Sequence, residues 1–373
     1  MNDTTLVKPG KVLNYAGAFM AFLIGSGFAT GQEILQYFAS YGLKGLLVSL
    51  AMVLMFIVLA GCFITAGKRE NFVKGSDIFQ YYCGKYVGKF YDYFTILFVF
   101  MSYVVMIAGA GATLNQHFGW PVVAGSLLMM ALVCITTIFG LKGIIDVIGK
   151  LGPLIAIFAI ILGTVTFFSN PGGVVENAAK LAAGEIVVKQ VGTNWFSSAC
   201  SYVGFCLLWL AAFLTAMGKG TNSKREGLWG TTLGSVGFTV GCTTKMLGLL
   251  AYLPDVADAQ IPALVLARRL SPALAFIFSI IIFAGIFTTA VPLLWQVSSR
   301  FTKEGTKTFK ISTVVCAVVG AGIALLLPFN SLVNIIYGIN GYVGIILVAF
   351  IAVKEIRRLS RRKSQTVLSD SSN

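Results

Sequence analysis

The sequence predicts an all-α integral membrane protein of about ten transmembrane helices, arranged as two five-helix halves of opposite orientation. Three observations predict it. Of the 373 residues 57% are hydrophobic and 11% charged, with a mean hydropathy of +0.85. Apolar runs repeatedly reach the roughly 20 residues that cross about 30 Å of hydrocarbon. Small and polar residues interrupt the first run of each half, at Gly25-Ser26-Gly27 and at Ser201-Tyr202-Val203-Gly204-Phe205.

The first span, 12-38, contains the run Ile24-Gly25-Ser26-Gly27-Phe28-Ala29-Thr30-Gly31. Unwound backbone at membrane depth is tolerated only where protein or a water-filled cavity satisfies it, so this run predicts a broken helix at a binding site. Close helix packing through small residues is the competing use of such glycines. The span is too long for a cleaved leader, and the second, 43-66, follows at once past a turn at Gly42. Ser76 to Lys85 reads as a short interfacial helix before span three, 90-114. Gly119-Trp120-Pro121 turns the chain into span four, 121-141, and span five is 150-169. A surface stretch, Val174 to Gln190, precedes span six, 195-217, with its small and polar interruption. Span seven, 229-252, leads to Asp255 through Arg269, the counterpart of the earlier interfacial helix. Spans eight, nine and ten are 272-298, 311-328 and 331-353, the last two separated at Pro328-Phe329-Asn330.

The expected organisation is an N-terminal segment 1-11, a first repeat 12-169, a connector 170-194, a second repeat 195-353 and a basic tail 354-373. Because five spans is an odd number, the second half starts on the opposite side of the membrane, which makes the repeats inverted and brings both interruptions to the midplane.

Basic residues set the orientation. With the N-terminus inside, the inner side holds 22 Lys and Arg, including Lys8, Lys68, Arg69, Lys142, Lys224 and the tail Arg357 to Lys363; the outer side holds Lys44, Lys180, Lys189, Arg268 and Arg269. Both termini are therefore expected in the cytoplasm of a bacterial cell, with the protein in its cytoplasmic (inner) membrane. The formal charge of +14 is explained by this topology and by anionic lipid headgroups. No nucleic-acid motif accompanies it, and no protein partner is implied.

In span eight, Gly285, Thr288 and Thr289 stand at i, i+3 and i+4, which places a carbonyl and two hydroxyls on one face. Such neutral oxygens suit a hard cation, although threonines also bond back to the preceding turn. Glu33 and Lys245 are costly within spans and are expected to face protein or water. They are candidates for a gate or proton site, either paired together or with Glu33 engaging Arg268 or Arg269. His117 alone makes no metal site. Seven scattered cysteines lack metal-binding spacing, and no phosphate loop, dinucleotide fingerprint or nucleophile-base pair points to an enzyme or a bound cofactor.

Ile24-Gly25-Ser26-Gly27-Phe28 resembles the glycine-serine-glycine signature in the first helix of the amino acid-polyamine-organocation transporters, and Ser201-Tyr202-Val203-Gly204-Phe205 is similar to the aromatic segment of their sixth. The wider resemblance, over 10-353, is to the LeuT-like 5+5 inverted repeat with helices one and six broken. Within that fold it is to bacterial membrane proteins of the YkvI type, which carry a similar glycine-rich helix followed by Gly-Gln-Glu. It implies secondary active transport by alternating access, with Gly25, Ser26 and Gly27 receiving a substrate carboxylate and Cys200, Ser201, Tyr202, Gly204 and Phe205 forming the amine end and gate. It also implies a single Na+ as coupling ion, held by Gly285, Thr288 and Thr289 with carbonyls of Ala21 and Ile24. Phe28 stands where a second sodium site would need asparagine, and 155-168 lacks the basic residue of proton-driven relatives. A small zwitterionic amino acid is the expected substrate, since no charged residue adjoins either break in sequence. Proton-coupled transport of an amino acid, amine or other solute stays open, as does a non-transporting sensor.

Overall fold

The computed structural model describes residues 7–70, 72–139 and 145–370, and these are helical almost throughout. Lys142, and the parts of the terminal segments at 1–6 and 371–373, lie outside the described residues.

The first span is built from α1 (Pro9–Leu23), α2 (Ser26–Thr30) and α3 (Gln32–Tyr37), followed by a 3-10 turn at Ala39–Lys44. The rest of the first half is α4 (Gly45–Glu70), α5 (Asp77–Phe118), α6 (Val122–Phe139) and α7 (Ile145–Ser169). The connector carries α8 (Pro171–Ala182), bent 88° from the end of α7. The second half is α9 (Trp195–Gly220), α10 (Lys224–Ala251), α11 (Leu253–Val256), α12 (Pro262–Leu270), α13 (Pro272–Phe301) and α14 (Lys307–Ala324). It closes with α15 (Phe329–Leu332), a π turn at Val333–Tyr337 and α16 (Gly338–Asp370).

Eight of the described helices are long and apolar enough to cross a membrane, and the bent pair formed by α7 and α8 passes the same test jointly. The first span does not, because each of its pieces is too short. Local chemistry starts the helices: Asn194 and Ser197 form a reciprocal cap at α9, and the side chains of Ser223 and Thr306 accept amides at the starts of α10 and α14. The expected interfacial helix is continuous with span three, kinked at Gly84 (φ 77°). α16 runs well past 353, so the start of the basic tail prolongs the last span as helix.

Helix pairing carries the internal repeat. α1 packs on α10 as α9 packs on α4; α1 meets α7 as α9 meets α16; α5 packs on α6 as α13 packs on α14; and α5 packs on α13. Exchanging each span with the one five later returns the same set of pairs, as an inverted repeat requires.

The sixth span departs from expectation, since α9 is a single unbroken helix through Cys200 to Phe205. Its small residues serve close packing. A Cβ on Gly204 would lie 2.5 Å from the Gly341 carbonyl oxygen, and one on Gly344 would lie 2.1 Å from the Gly204 backbone. Ser201 and Gly204 therefore face Gly341 and Gly344, two pairs of small residues at i and i+3 that let α9 and α16 touch backbone to backbone.

One end of the bundle collects the basic residues. The Lys8 amide donates to Glu226 (3.0 Å), Lys68 donates to the Thr221 carbonyl, and Lys68, Arg69, Lys224 and Arg358 line one cavity of about 410 Å³. A second cavity there, about 1080 Å³, lies between Tyr81-Tyr82 and the stretch of α16 bearing Lys354, Arg357 and Arg361.

Candidate functional site

The first span is interrupted twice. At Ile24 (φ −84°, ψ 93°) and Gly25 (φ −108°, ψ −169°) the backbone is extended, and the Gly25 amide bonds Leu23 (3.1 Å) instead of Ala21. The first bond of α2 runs from Ala29 to Gly25 (2.9 Å), so the carbonyls of Ala21 and Ile24 lose their helical amides. These are the two first-span oxygens expected at the cation site. The second interruption, not foreseen, is at Gly31, whose φ of 90° is the left-handed conformation that favours glycine.

That second break frees carbonyls, and a lysine takes them. Lys245 on α10 is fully buried and donates to the carbonyls of Phe28 (2.5 Å) and Ala29 (3.0 Å), with its ammonium 4.9 Å from the centre of the Phe28 ring. A cation at helical carbonyls matches the negative end of the α2 dipole.

Glu33 sits beside the other end of α2. Its Oε1 lies 2.0 Å from where a Cβ on Gly27 would stand, and its Oε2 accepts from the Tyr202 hydroxyl (3.2 Å). Glu33 is 2% exposed, and among the described residues no Lys, Arg or His nitrogen approaches its carboxylate within 4.0 Å. The expected pairing of Glu33 with Lys245 is therefore not a direct ion pair, since the lysine spends its donors on backbone. Nor do the two arginines reach it: Arg269 pairs with Asp255 (2.5 Å) and Arg268 donates to the Gln116 carbonyl (3.1 Å). The expectation that no charge adjoins either break also fails, because the left-handed turn at Gly31 folds Glu33 back along α2.

Around Glu33 stands an aromatic box drawn from three elements. Tyr37 meets Tyr202 (ring centres 5.1 Å apart), Tyr202 meets Phe205 (5.0 Å), and Phe205 stacks on Tyr337 (4.9 Å), which contacts Trp209 (6.0 Å). Tyr337 is brought there by the π turn, a feature that recurs at functional sites. Tyr37 faces Ser201 and Tyr337 faces Ser26. Yet the hydroxyls of Ser26, Tyr37, Ser201 and Tyr337 and the Trp209 indole N–H are buried without a hydrogen bond of good geometry among the described residues. Such orphaned polar atoms are uncommon in native interiors.

Of the expected site residues, Gly25, Ser26, Gly27, Ser201, Tyr202 and Phe205 are buried about this centre. Gly204 belongs to the α9–α16 contact, and Cys200 is partly exposed. On α13, Thr288 and Thr289 hydroxyls both donate to the Gly285 carbonyl (2.9 and 3.0 Å). Their lone pairs stay available as acceptors. A Cβ on Gly285 would strike Ile155 Cδ1 at 2.4 Å, so α13 and α7 approach closely there.

The end remote from the basic cluster is closed by amides. Gln32 donates to the carbonyls of Ala259 (2.5 Å) and Gln260 (3.1 Å); Gln36 donates to Gln32 (2.8 Å) and to the Asn330 carbonyl (2.9 Å); Asn334 donates to Gln36 (3.0 Å). Gln116 exchanges two bonds with the Ile261 backbone (both 2.9 Å). The network joins α3 to the loop before α12, to the tip of α5 and to the last span. Gln32 and Gln36 stand at i and i+4 in an apolar span, the one signal that sequence offered.

No protein-family model matches the chain. The membrane protein YkvI of Bacillus subtilis (strain 168) is 27% identical over 357 residues, 95% of this chain and 98% of the relative. The protein YyaD of the same organism is 24% identical over 281 residues, 74% of this chain and 78% of its own. Among solved structures, MhsT in complex with L-phenylalanine aligns with a TM-score of 0.59 at 18% identity, covering 91% of this chain and 88% of that one. A Na+-coupled sialic acid symporter, substrate-bound and outward-open, gives 0.60 at 14%, covering 91% and 81%. Inward-facing Mhp1 gives 0.60 at 15%, covering 89% and 73%. The fold is thus the LeuT-like fold of membrane transporters, with the sixth span unbroken.

Proposed function

We propose that the protein is a secondary active transporter that couples a sodium gradient to movement of a small zwitterionic amino acid by alternating access. The observation that carries this is the doubly broken first span, with its displaced backbone groups and orphaned hydroxyls buried at the centre of a LeuT-like fold. Substrate lies between Gly25, Ser26 and Gly27 on one side and Ser201, Tyr202 and Phe205 on the other. Sodium takes the carbonyls of Ala21, Ile24 and Gly285 with the hydroxyls of Thr288 and Thr289, and so ties α13 to the first break. Two of the similar solved structures contain L-phenylalanine or belong to a Na+-coupled symporter, which supports this class of cargo and ion.

The basic end faces the cytoplasm of a bacterial cell in this reading, with both termini inside. The amide network is then the outer gate, shut in this conformation, and the basic cavities lie where anionic lipid headgroups can reach them. Opening outward requires Gln32, Gln36 and Asn334 to exchange their partners for water.

Proton coupling is the second reading, favoured by the presence of two buried ionisable groups, Glu33 and Lys245, at the broken span. Uptake of a labelled amino acid mixture into proteoliposomes decides between them. Accumulation driven by an inward sodium gradient, against a potassium control at equal pH, supports the first; accumulation driven only by a pH gradient supports the second; no accumulation under either defeats both.

A further inference from the structure

We infer that Glu33 receives the ammonium group of the transported solute, inside the aromatic box of Tyr37, Tyr202, Phe205 and Tyr337. The assignment rests on the transport reading above and names the chemistry by which that site selects its cargo: an amine is required and a carboxylate is not.

α9 lacks a break. An unbroken helix commits its interior carbonyls to its own amides, so the sixth span offers no freed oxygens to a positively charged group. The freed carbonyls of the first span at Phe28 and Ala29 are already taken by Lys245. With the Ala21 and Ile24 carbonyls assigned to the cation, the acidic acceptor buried at the centre is the Glu33 carboxylate. Two carboxylate oxygens can accept about four hydrogen bonds, and the partners here are the Tyr202 hydroxyl and the Phe28 amide, which leaves about two unfilled. A buried carboxylate lacking a contacting cation is unfavourable, and an incoming ammonium removes that deficit.

The surroundings fit the same cargo. Ring faces attract cations within about 6 Å of their centres, and Tyr37, Tyr202, Phe205 and Tyr337 form a continuous chain of contacting rings next to the carboxylate. The orphaned hydroxyls of Ser26, Tyr37, Ser201 and Tyr337 supply acceptors for the other ammonium protons. A solute carboxylate placed against Gly27 would instead meet the like charge of Glu33.

The test compares matched compounds binding to the purified full chain in detergent with sodium present. The series are leucine, isopentylamine and 4-methylpentanoate; phenylalanine, phenethylamine and 3-phenylpropionate; and alanine, ethylamine and propionate. In at least one series the amino acid and the amine are expected to bind competitively while the acid does not, and Glu33→Gln is expected to weaken the amine by about tenfold or more. Phe205→Leu, which keeps the carboxylate and removes a ring face, is expected to weaken it by about threefold or more, and serves if Glu33→Gln does not fold. The assignment is overturned if the acids bind as well as the amines, if no amine binds, or if both variants leave amine affinity unchanged. Amine binding that depends on Glu33 without gradient-driven accumulation would sink the transport reading alone. Accumulation of the acids would sink the Glu33 assignment alone.

Discussion

Glu33 occupies the space that any side chain at position 27 would need: its Oε1 lies 2.0 Å from a Cβ built on Gly27. The glycine is thus required by a carboxylate six residues further on, and not only by the break beside it. Gly27→Ala is expected to displace Glu33 and to cost about 1–3 kcal/mol of stability. Adding Glu33→Ala should restore the melting temperature without restoring transport. Melting curves of the single and double variants check this, and an unchanged Gly27→Ala curve would contradict the packing.

Lys245→Met leaves the Ala29 carbonyl without its ammonium donor and the Phe28 carbonyl with only the Gly31 amide. Losing a buried charged donor of this kind costs about 1–3 kcal/mol or more, so the variant should melt earlier. Hydrogen exchange should rise at Gln32 to Leu35, just past the Gly31 kink. Unaltered exchange there would show that the lysine does not hold the kink.

Thr288→Ala and Thr289→Ala remove two hydroxyl oxygens of the proposed sodium site while leaving α13 helical. Both variants should insert normally and need about tenfold more sodium for half-maximal uptake, whereas Thr289→Ser should behave like the parent. Sodium titrations of uptake give the answer. Full retention of sodium dependence in both alanine variants would dismiss the site.

Gly344→Leu tests the close contact between α9 and α16. With Gly204 backbone 2.1 Å from its Cβ position, the variant is expected to lose monodisperse protein altogether, as overpacking forces backbone apart. Ser201→Ala should fold and lose only substrate affinity. Size-exclusion profiles separate the two outcomes, and a well-folded Gly344→Leu would refute the packing role given to Gly204.

Gln36→Ala removes donors to Gln32 and Asn330 and the acceptor for Asn334. It should open the amide-closed end more often, seen as faster maleimide labelling of a cysteine placed at buried Ser198, whose hydroxyl bonds the Tyr37 carbonyl. Equal labelling rates would mean that closure is held elsewhere.

Much of this architecture is legible in the chain because lipid leaves few options: apolar length fixed most spans, and lysine and arginine fixed which ends belong together. Gly25 marks a break because two glycines around a serine, with Thr30, Gln32 and Glu33 close behind, are more polarity than an apolar run needs for packing. Gly204 misled for the same reason, since a glycine that admits a neighbouring backbone looks identical in sequence to one that bends its own. The partner that decides between them, Gly341-to-Gly344, is far away in the chain. Glu33 was visible as an anomaly, but its position beside Gly27 depends on the turn at Gly31, whose left-handed conformation sequence alone does not dictate. Charged residues are the natural place to look for a closure in sequence, while the structure ties this end together through Gln32, Gln36 and Asn334, whose pairing exists only once α3 and the last span meet.

An amide lock has a physical property that an ionic one lacks. Exposed ion pairs loosen as salt shortens the Debye length, from about 10 Å at 0.1 M to about 3 Å at 1 M, and they fail when a carboxylate gains a proton. Glutamine and asparagine carry no charge to screen and no proton to gain. The closure at Gln32, Gln36 and Asn334 should therefore hold equally in dilute, briny or acid surroundings, so that in the proposed cycle the ion can change concentration without also turning the key.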